Sequence, residues 1–142
     1  MTRIRISLLR KWNWLIAWFL SLCGVACSPI TCEYGTPEGK FIVEGSVRSE
    51  ETQAPIEHIR VIMGRDTAYS DASGHYEVSD INFPTSQSYL VSFSDVDGTA
   101  NGEFLARDTL VNFTDPEFEN GNGHWYDGET KKQVTINLKP LQ

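Results

Sequence analysis

Oxygen-bearing side chains recur in one short stretch of the chain, at Asp95, Asp97 and Asn101, with Gly98 among them. Oxygen ligands at alternate positions and a glycine that permits a sharp bend are features of calcium-binding loops. The helix-loop-helix type of calcium site also needs a bidentate glutamate at its twelfth position, and counting from Asp95 that position holds Ala106. The stretch is a candidate metal site, but an Asp/Asn/Gly turn between strands explains the same residues, and we expect the turn.

The three histidines, His58, His75 and His124, stand in three separate segments. The alternation around His58 and His75 places both on outward faces of strands, so a shared metal site would need distant segments to converge. No nucleophile elbow, phosphate-binding loop or dinucleotide fingerprint occurs in the sequence. We therefore expect a non-catalytic domain without a cofactor.

An aromatic pair, Trp125 and Tyr126, follows His124 in a glycine-containing segment. Such side chains stack on a sugar or a peptide in some proteins, and in others they hold a long loop against its domain. The sequence leaves both interpretations open, with the loop anchor favoured.

All cysteines lie near the N-terminus, at Cys23, Cys27 and Cys32, so no disulfide within the later domain is expected. The small residues 24–26 precede Cys27 and resemble the lipobox of bacterial lipoproteins, although Gly24 stands where leucine is usual. Cys27 is the predicted acylation site. Cys32 is then the remaining free thiol of the mature chain, either inert or a site of modification or cross-linking.

The N-terminal segment has the order of a secretory signal, with basic residues followed by an apolar run over 12–26 that holds no acidic residue. The run is shorter than the roughly 20 apolar residues that span a bilayer, which favours cleavage over a permanent anchor. We predict a lipoprotein signal peptide over 1–26, a Pro/Gly-containing tether over 27–40 and a folded domain over 41–142.

Cleavage before Cys27 removes four of the 12 basic residues and none of the 19 acidic ones, which leaves a formal net charge of 8 − 19 = −11. Such a surface repels nucleic acid and anionic lipid headgroups. Attachment to a lipid bilayer is therefore expected through the acyl chains on Cys27.

Apolar and polar residues alternate along the domain with the period of two that is typical of strands. Phe41, Val43 and Val47 share one face of a first strand. Further strands are predicted at 58–63, 67–70, 75–78, 89–93, 104–113 and 134–138, with 67–78 forming a hairpin. The stretches 94–103 and 114–130 are predicted loops. This spacing predicts an all-β, seven-stranded antiparallel β-sandwich behind the signal helix.

Two segments, Gly45-Ser46-Val47-Arg48 through Pro55-Ile56 and Ser70-Asp71-Ala72-Ser73-Gly74-His75-Tyr76, resemble a carboxypeptidase regulatory-like domain. That family has Gly-x-Val, a turn before Pro-Ile, and Thr-Asp-x-x-Gly-x-Tyr. The resemblance implies a transthyretin-like sandwich of seven strands. The chain departs from the pattern at Glu57-His58, where the family commonly has a glycine.

A longer set of motifs runs Cys32-Glu33-Tyr34-Gly35-Thr36-Pro37, Asp95-Val96-Asp97-Gly98, Trp125-Tyr126 and Leu138-Lys139-Pro140. In this order they resemble lipoproteins of the radical-SAM/lipoprotein system of Bacteroidota. The resemblance implies a cell-envelope lipoprotein associated with a radical SAM enzyme, facing the periplasm or the outside. Ser28 after Cys27 is not the Asp-type signal for inner-membrane retention, so the outer membrane is the expected location.

Three functions follow as hypotheses. The first is a non-catalytic module that binds an envelope protein or glycan. The second is a substrate that a radical SAM enzyme modifies. The third is a hydrolase like the transthyretin-related hydroxyisourate hydrolases, which end in Tyr-Arg-Gly-Ser, whereas this sequence ends Asn137-Leu138-Lys139-Pro140-Leu141-Gln142.

Overall fold

The computed structural model describes residues 35–141 together with Trp14 and Trp18. Residues 35–141 contain nine strands and no helix, which confirms the all-β prediction. The strands are β1 Glu38–Ser49, β2 Ile59–Met63, β3 Asp66–Tyr69, β4 His75–Asn82, β5 Gln87–Asp95, β6 Arg107–Phe113, β7 Glu119–Asn120, β8 Tyr126–Gln133 and β9 Ile136–Leu138. Among the described residues, no helix has the length and apolar character to span a bilayer.

The strands form two sheets. One has the order β4-β1-β8-β7 with β9 also beside β1, and the other has the order β3-β2-β5-β6. Most neighbours are antiparallel, but β1 pairs in parallel with β8 and then with β9. The predicted sandwich architecture agrees with these two sheets, whereas the predicted count of seven strands and their purely antiparallel pairing were wrong.

The core consists of the apolar faces that the alternation predicts. In β1, Phe41, Val43 and Val47 are fully buried, and Val61 of β2 and Val91 of β5 are equally inaccessible. Aromatic rings fill one region of this core, because Phe41 packs against the rings of Tyr89, Phe113 and Phe118 at centroid distances of 5.2 to 5.4 Å. Burial of such apolar area is the main stabilising term for a sandwich.

The predicted hairpin over 67–78 was wrong. β3 pairs with β2 in one sheet, whereas β4 pairs with β1 in the other. The chain crosses between sheets at Ser70, whose buried hydroxyl accepts the N–H of Ile59 at 2.9 Å and donates to the carbonyl of Ile56 at 2.8 Å. The buried Ser70 hydroxyl both accepts and donates a hydrogen bond at this crossing. The change of sheet therefore leaves this polar group satisfied.

The stretch 114–130, predicted as a loop, holds β7 and the first five residues of β8. β8 has only one buried residue, Gly128, so it carries no apolar face for the alternation to reveal. It is held as a strand by backbone pairing with β1. The first strand also begins at Glu38, inside the stretch predicted as the tether.

The turn before β4 explains the Asp-x-x-Gly-x-Tyr pattern. One carboxylate oxygen of Asp71 accepts the hydroxyl and the N–H of Ser73 at 2.7 and 2.8 Å and the N–H of His75 at 2.9 Å. These bonds, chiefly the one from the Ser73 hydroxyl, lower the pKa of Asp71. Tyr76, buried in the core, donates its hydroxyl to the Val134 carbonyl at 2.8 Å. The pattern therefore fixes a turn and ties β4 to the chain between β8 and β9.

Candidate functional site

Asp95 ends β5 and closes the loop that follows. One carboxylate oxygen accepts the N–H of Asp97 at 3.2 Å, and the other accepts the N–H of Phe104 at 3.0 Å. Partial burial raises the pKa of Asp95, and the neighbouring Asp97 carboxyl adds to the effect. Both oxygens of this candidate ligand already hold the backbone on the two sides of the loop.

Asp97 faces two side chains. Its Oδ2 accepts a hydrogen bond from Nδ2 of Asn101 at 3.0 Å and lies 3.6 Å from Nδ1 of His58. The structure thus brings Asp95, Asp97 and Asn101 together, as the sequence predicted. Asn101 presents its amide nitrogen, a donor, to the carboxylate, which is the arrangement of a closed polar loop rather than of converging oxygen ligands.

His58 is the residue of this cluster that sequence reasoning missed. Its backbone has a φ of 62°, its N–H donates to the Ser70 carbonyl at 2.9 Å, and its ring lies between the carboxylates of Asp97 and Glu57. A left-handed conformation favours glycine, and this is the position where the resembled family commonly has one. The replacement of that glycine by His58 was the available signal that a side chain stands here on a left-handed backbone.

The other histidines belong to other segments of the chain. His75 begins β4 and is exposed, as predicted, and His124 lies in the connection between β7 and β8. Within residues 35–141, no group of three or more His, Cys, Asp or Glu side chains is arranged to hold a metal ion. The hydrogen bonds of Asp95 and Asp97 instead hold the loop between β5 and β6 in a closed conformation.

The absence of calcium-specific binding by this loop is therefore a direct prediction to test. We expect calcium and magnesium at equal concentration to change the melting temperature alike, because both only screen the acidic surface. A true site would stabilise the fold by about 2.7 kcal/mol when free calcium exceeds the dissociation constant a hundredfold. A calcium-specific rise in melting temperature that Asp95→Asn/Asp97→Asn abolishes would show that the loop is a calcium site.

Trp125 and Tyr126 lie beside the beginning of β1. The Trp125 carbonyl accepts the N–H of Glu38 at 2.7 Å, and Tyr126 is the register partner of Glu38 in β8. The Trp125 ring lies against Gly35, where an added Cβ would come within 2.5 Å of it. The pair therefore attaches the connection before β8 to the start of the domain, while 36% of Trp125 remains exposed.

The predicted acylation site Cys27 and the thiol Cys32 lie outside the described residues. No protein-family model and no curated protein matches this chain.

Proposed function

We propose that this chain is a cell-envelope lipoprotein, anchored in the outer membrane through acylated Cys27, whose β-sandwich is a non-catalytic binding or structural module. The observation that carries the proposal is the order of segments: basic residues, an apolar run, small residues before Cys27, and a folded domain whose first strand begins at Glu38. A short tether between an acylated cysteine and a compact domain is the arrangement that such an anchor requires.

The use of polar side chains within the domain supports a non-catalytic role. The Ser70 hydroxyl and the carboxylates of Asp71 and Asp95 each bond to backbone groups and so hold turns and crossings in place. A catalytic nucleophile or base would instead face a reacting group within hydrogen-bond reach. In this proposal the domain is a framework, and a partner binds to its surface.

The finer parts of the proposal are a transthyretin-like, carboxypeptidase regulatory-like fold and an association with a radical SAM enzyme. The turn held by Asp71, followed by Gly74 with a φ of 76° and the anchored Tyr76, supports the fold family. The order of the longer motifs supports the association. Mild crosslinking in membranes followed by pull-down should recover the enzyme or another envelope partner, and repeated recovery of none would contradict a binding role.

Labelling with a fatty-acid probe tests the anchor. Cys27→Ser is expected to abolish labelling and to leave the domain either released from the membrane fraction or held there only by an uncleaved signal segment, because no acyl chain is left to hold it. Cys23→Ser and Cys32→Ser are the matched controls and should label like the unaltered protein. Labelling that survives in Cys27→Ser would show that the acylation site is wrong.

A further inference from the structure

Three apolar side chains are exposed at the end of the sandwich where β1 begins. Ile81, Phe83 and Trp125 are 49%, 54% and 36% accessible to solvent. The exposure of Phe83 is unusual, because large aromatic residues are normally at least half buried. The exposed 36% of Trp125 adds apolar area in the same region. We call these three residues the end patch.

Strand pairing places the members of the end patch close together. Ile81 of β4 is the register partner of Lys40 in β1, and Phe83 directly follows the last residue of β4, whose partner is Gly39. Trp125 lies on the other side of β1, where its carbonyl bonds to Glu38. Neighbouring strands are about 4.8 Å apart, so the backbones of Phe83 and Trp125 lie about 10 Å apart across β1.

The chain before the domain limits how far the start of the domain can lie from the proposed anchor. Between an acylated Cys27 and Gly35 there are eight residue steps, and an extended chain spans at most about 3.3 to 3.6 Å per residue. Gly35 is therefore held within roughly 30 Å of the anchor, and the Trp125 ring lies directly against Gly35. The end patch is at the tethered end of the sandwich.

The charges around the end patch are mixed. Lys40 and Arg65 line a groove of about 270 Å³ together with Ile81, and Arg65 lies 3.8 Å from the carboxylate of Asp80. Glu38 is exposed between the flanking aromatic residues. This surface has no excess of positive charge to attract anionic headgroups, so any affinity for a membrane must come from its apolar side chains.

We propose that the end patch is a membrane-contact surface, in which Ile81, Phe83 and Trp125 enter the interfacial region of a zwitterionic bilayer and fix the orientation of the tethered domain. The proposal rests on the proposed lipid anchor. Tryptophan is enriched at this interface, since its amphipathic ring sits at headgroup level. Phenylalanine and isoleucine add apolar area that enters the boundary of the acyl chains. Contact at this end leaves the opposite end of the sandwich directed toward partners.

Trp125 itself reports on the contact, because it is the only tryptophan that follows Cys27 in the sequence. The acylated mature protein is reconstituted in phosphatidylcholine vesicles whose acyl chains carry bromine, a short-range quencher of tryptophan fluorescence. We expect the fluorescence of Trp125 to be quenched and shifted to shorter wavelength relative to vesicles without bromine and to detergent solution. Adding anionic lipid should not strengthen the quenching.

A matched pair of variants separates the patch from exposed apolar area in general. Ile81→Ser/Phe83→Ser should lose most of the quenching while still floating with the vesicles through its acyl chains. Leu90→Ser/Leu110→Ser removes two leucines that are 57% and 60% exposed and face each other across β5 and β6. This control should keep the quenching, and equal melting temperatures would show that both variants are folded.

Protein that floats with the vesicles but shows no bromolipid quenching would overturn the membrane contact and leave the anchor intact. If Trp125 were also shielded from the soluble quencher acrylamide, a protein partner or a second copy would be covering the patch instead. Mature protein that carries no acyl mass and fails to float would refute the anchor itself.

Discussion

Replacing Phe41 with alanine is expected to lower the free energy of unfolding by about 3 to 5 kcal/mol. Phe41 is fully buried, and its ring contacts the rings of Tyr89, Phe113 and Phe118 in one aromatic cluster. The substitution leaves a cavity that close-packed neighbours fill only in part, and it removes edge-to-face ring contacts as well. Since a domain of this size is stable by only about 5 to 15 kcal/mol, urea unfolding should show a large fall in the midpoint.

The matched control is Phe83→Ala. The chemical change is the same, but 54% of the Phe83 side chain is already exposed, so we expect a change within about 0.5 kcal/mol. If Phe83→Ala lowered the free energy of unfolding as much as Phe41→Ala, the aromatic cluster around Phe41 would not be the centre of the core, which would contradict the structure.

Replacing Gly74 with alanine is expected to cost roughly 2 to 5 kcal/mol, the sum of backbone strain and a steric overlap. Gly74 has a φ of 76°, and a Cβ there would lie 2.5 Å from the Val47 carbonyl oxygen of β1. The Gly74 carbonyl also accepts the Val47 N–H at 2.8 Å, so moving either backbone breaks the contact between the turn and β1. Thermal unfolding measures the loss.

Gly98→Ala separates the two contributions. Gly98 has a similar φ of 67°, but no atom lies within 4 Å of the position of its added Cβ. We expect only the strain, about 1 to 2 kcal/mol. If the two alanine variants were equally stable, the close approach of the turn to β1 would be disproved.

The strands that the sequence predicted well are those with one buried face. Ile59, Val61 and Met63 of β2 and Tyr89, Val91 and Phe93 of β5 alternate with exposed or half-buried residues, and all six are buried. β8 escaped prediction because its sequence is polar and its stability as a strand comes from pairing with β1. The false hairpin has a related cause, because the turn at 71–74 has the same local chemistry whether the next strand stays in the sheet or crosses to the other.

The candidate site was predictable to the extent that it is local. Asp95, Asp97 and Asn101 are close in sequence, so their meeting in one loop followed from spacing. His58 comes from the segment before β2, and only the pairing of β2 with β5 brings it beside Asp97. The hydrogen bonds that occupy the Asp95 carboxylate depend on the position of the Phe104 backbone, which no local pattern specifies.

The central claim is that the mature chain begins at an acylated Cys27. Its most direct test is the intact mass of the protein extracted from the cell envelope with detergent, followed by fragmentation of the N-terminal peptide. The account predicts a chain of residues 27–142 that carries acyl chains on its first residue. A mass that corresponds to the uncleaved chain, or to residues 27–142 without acyl chains, would contradict it.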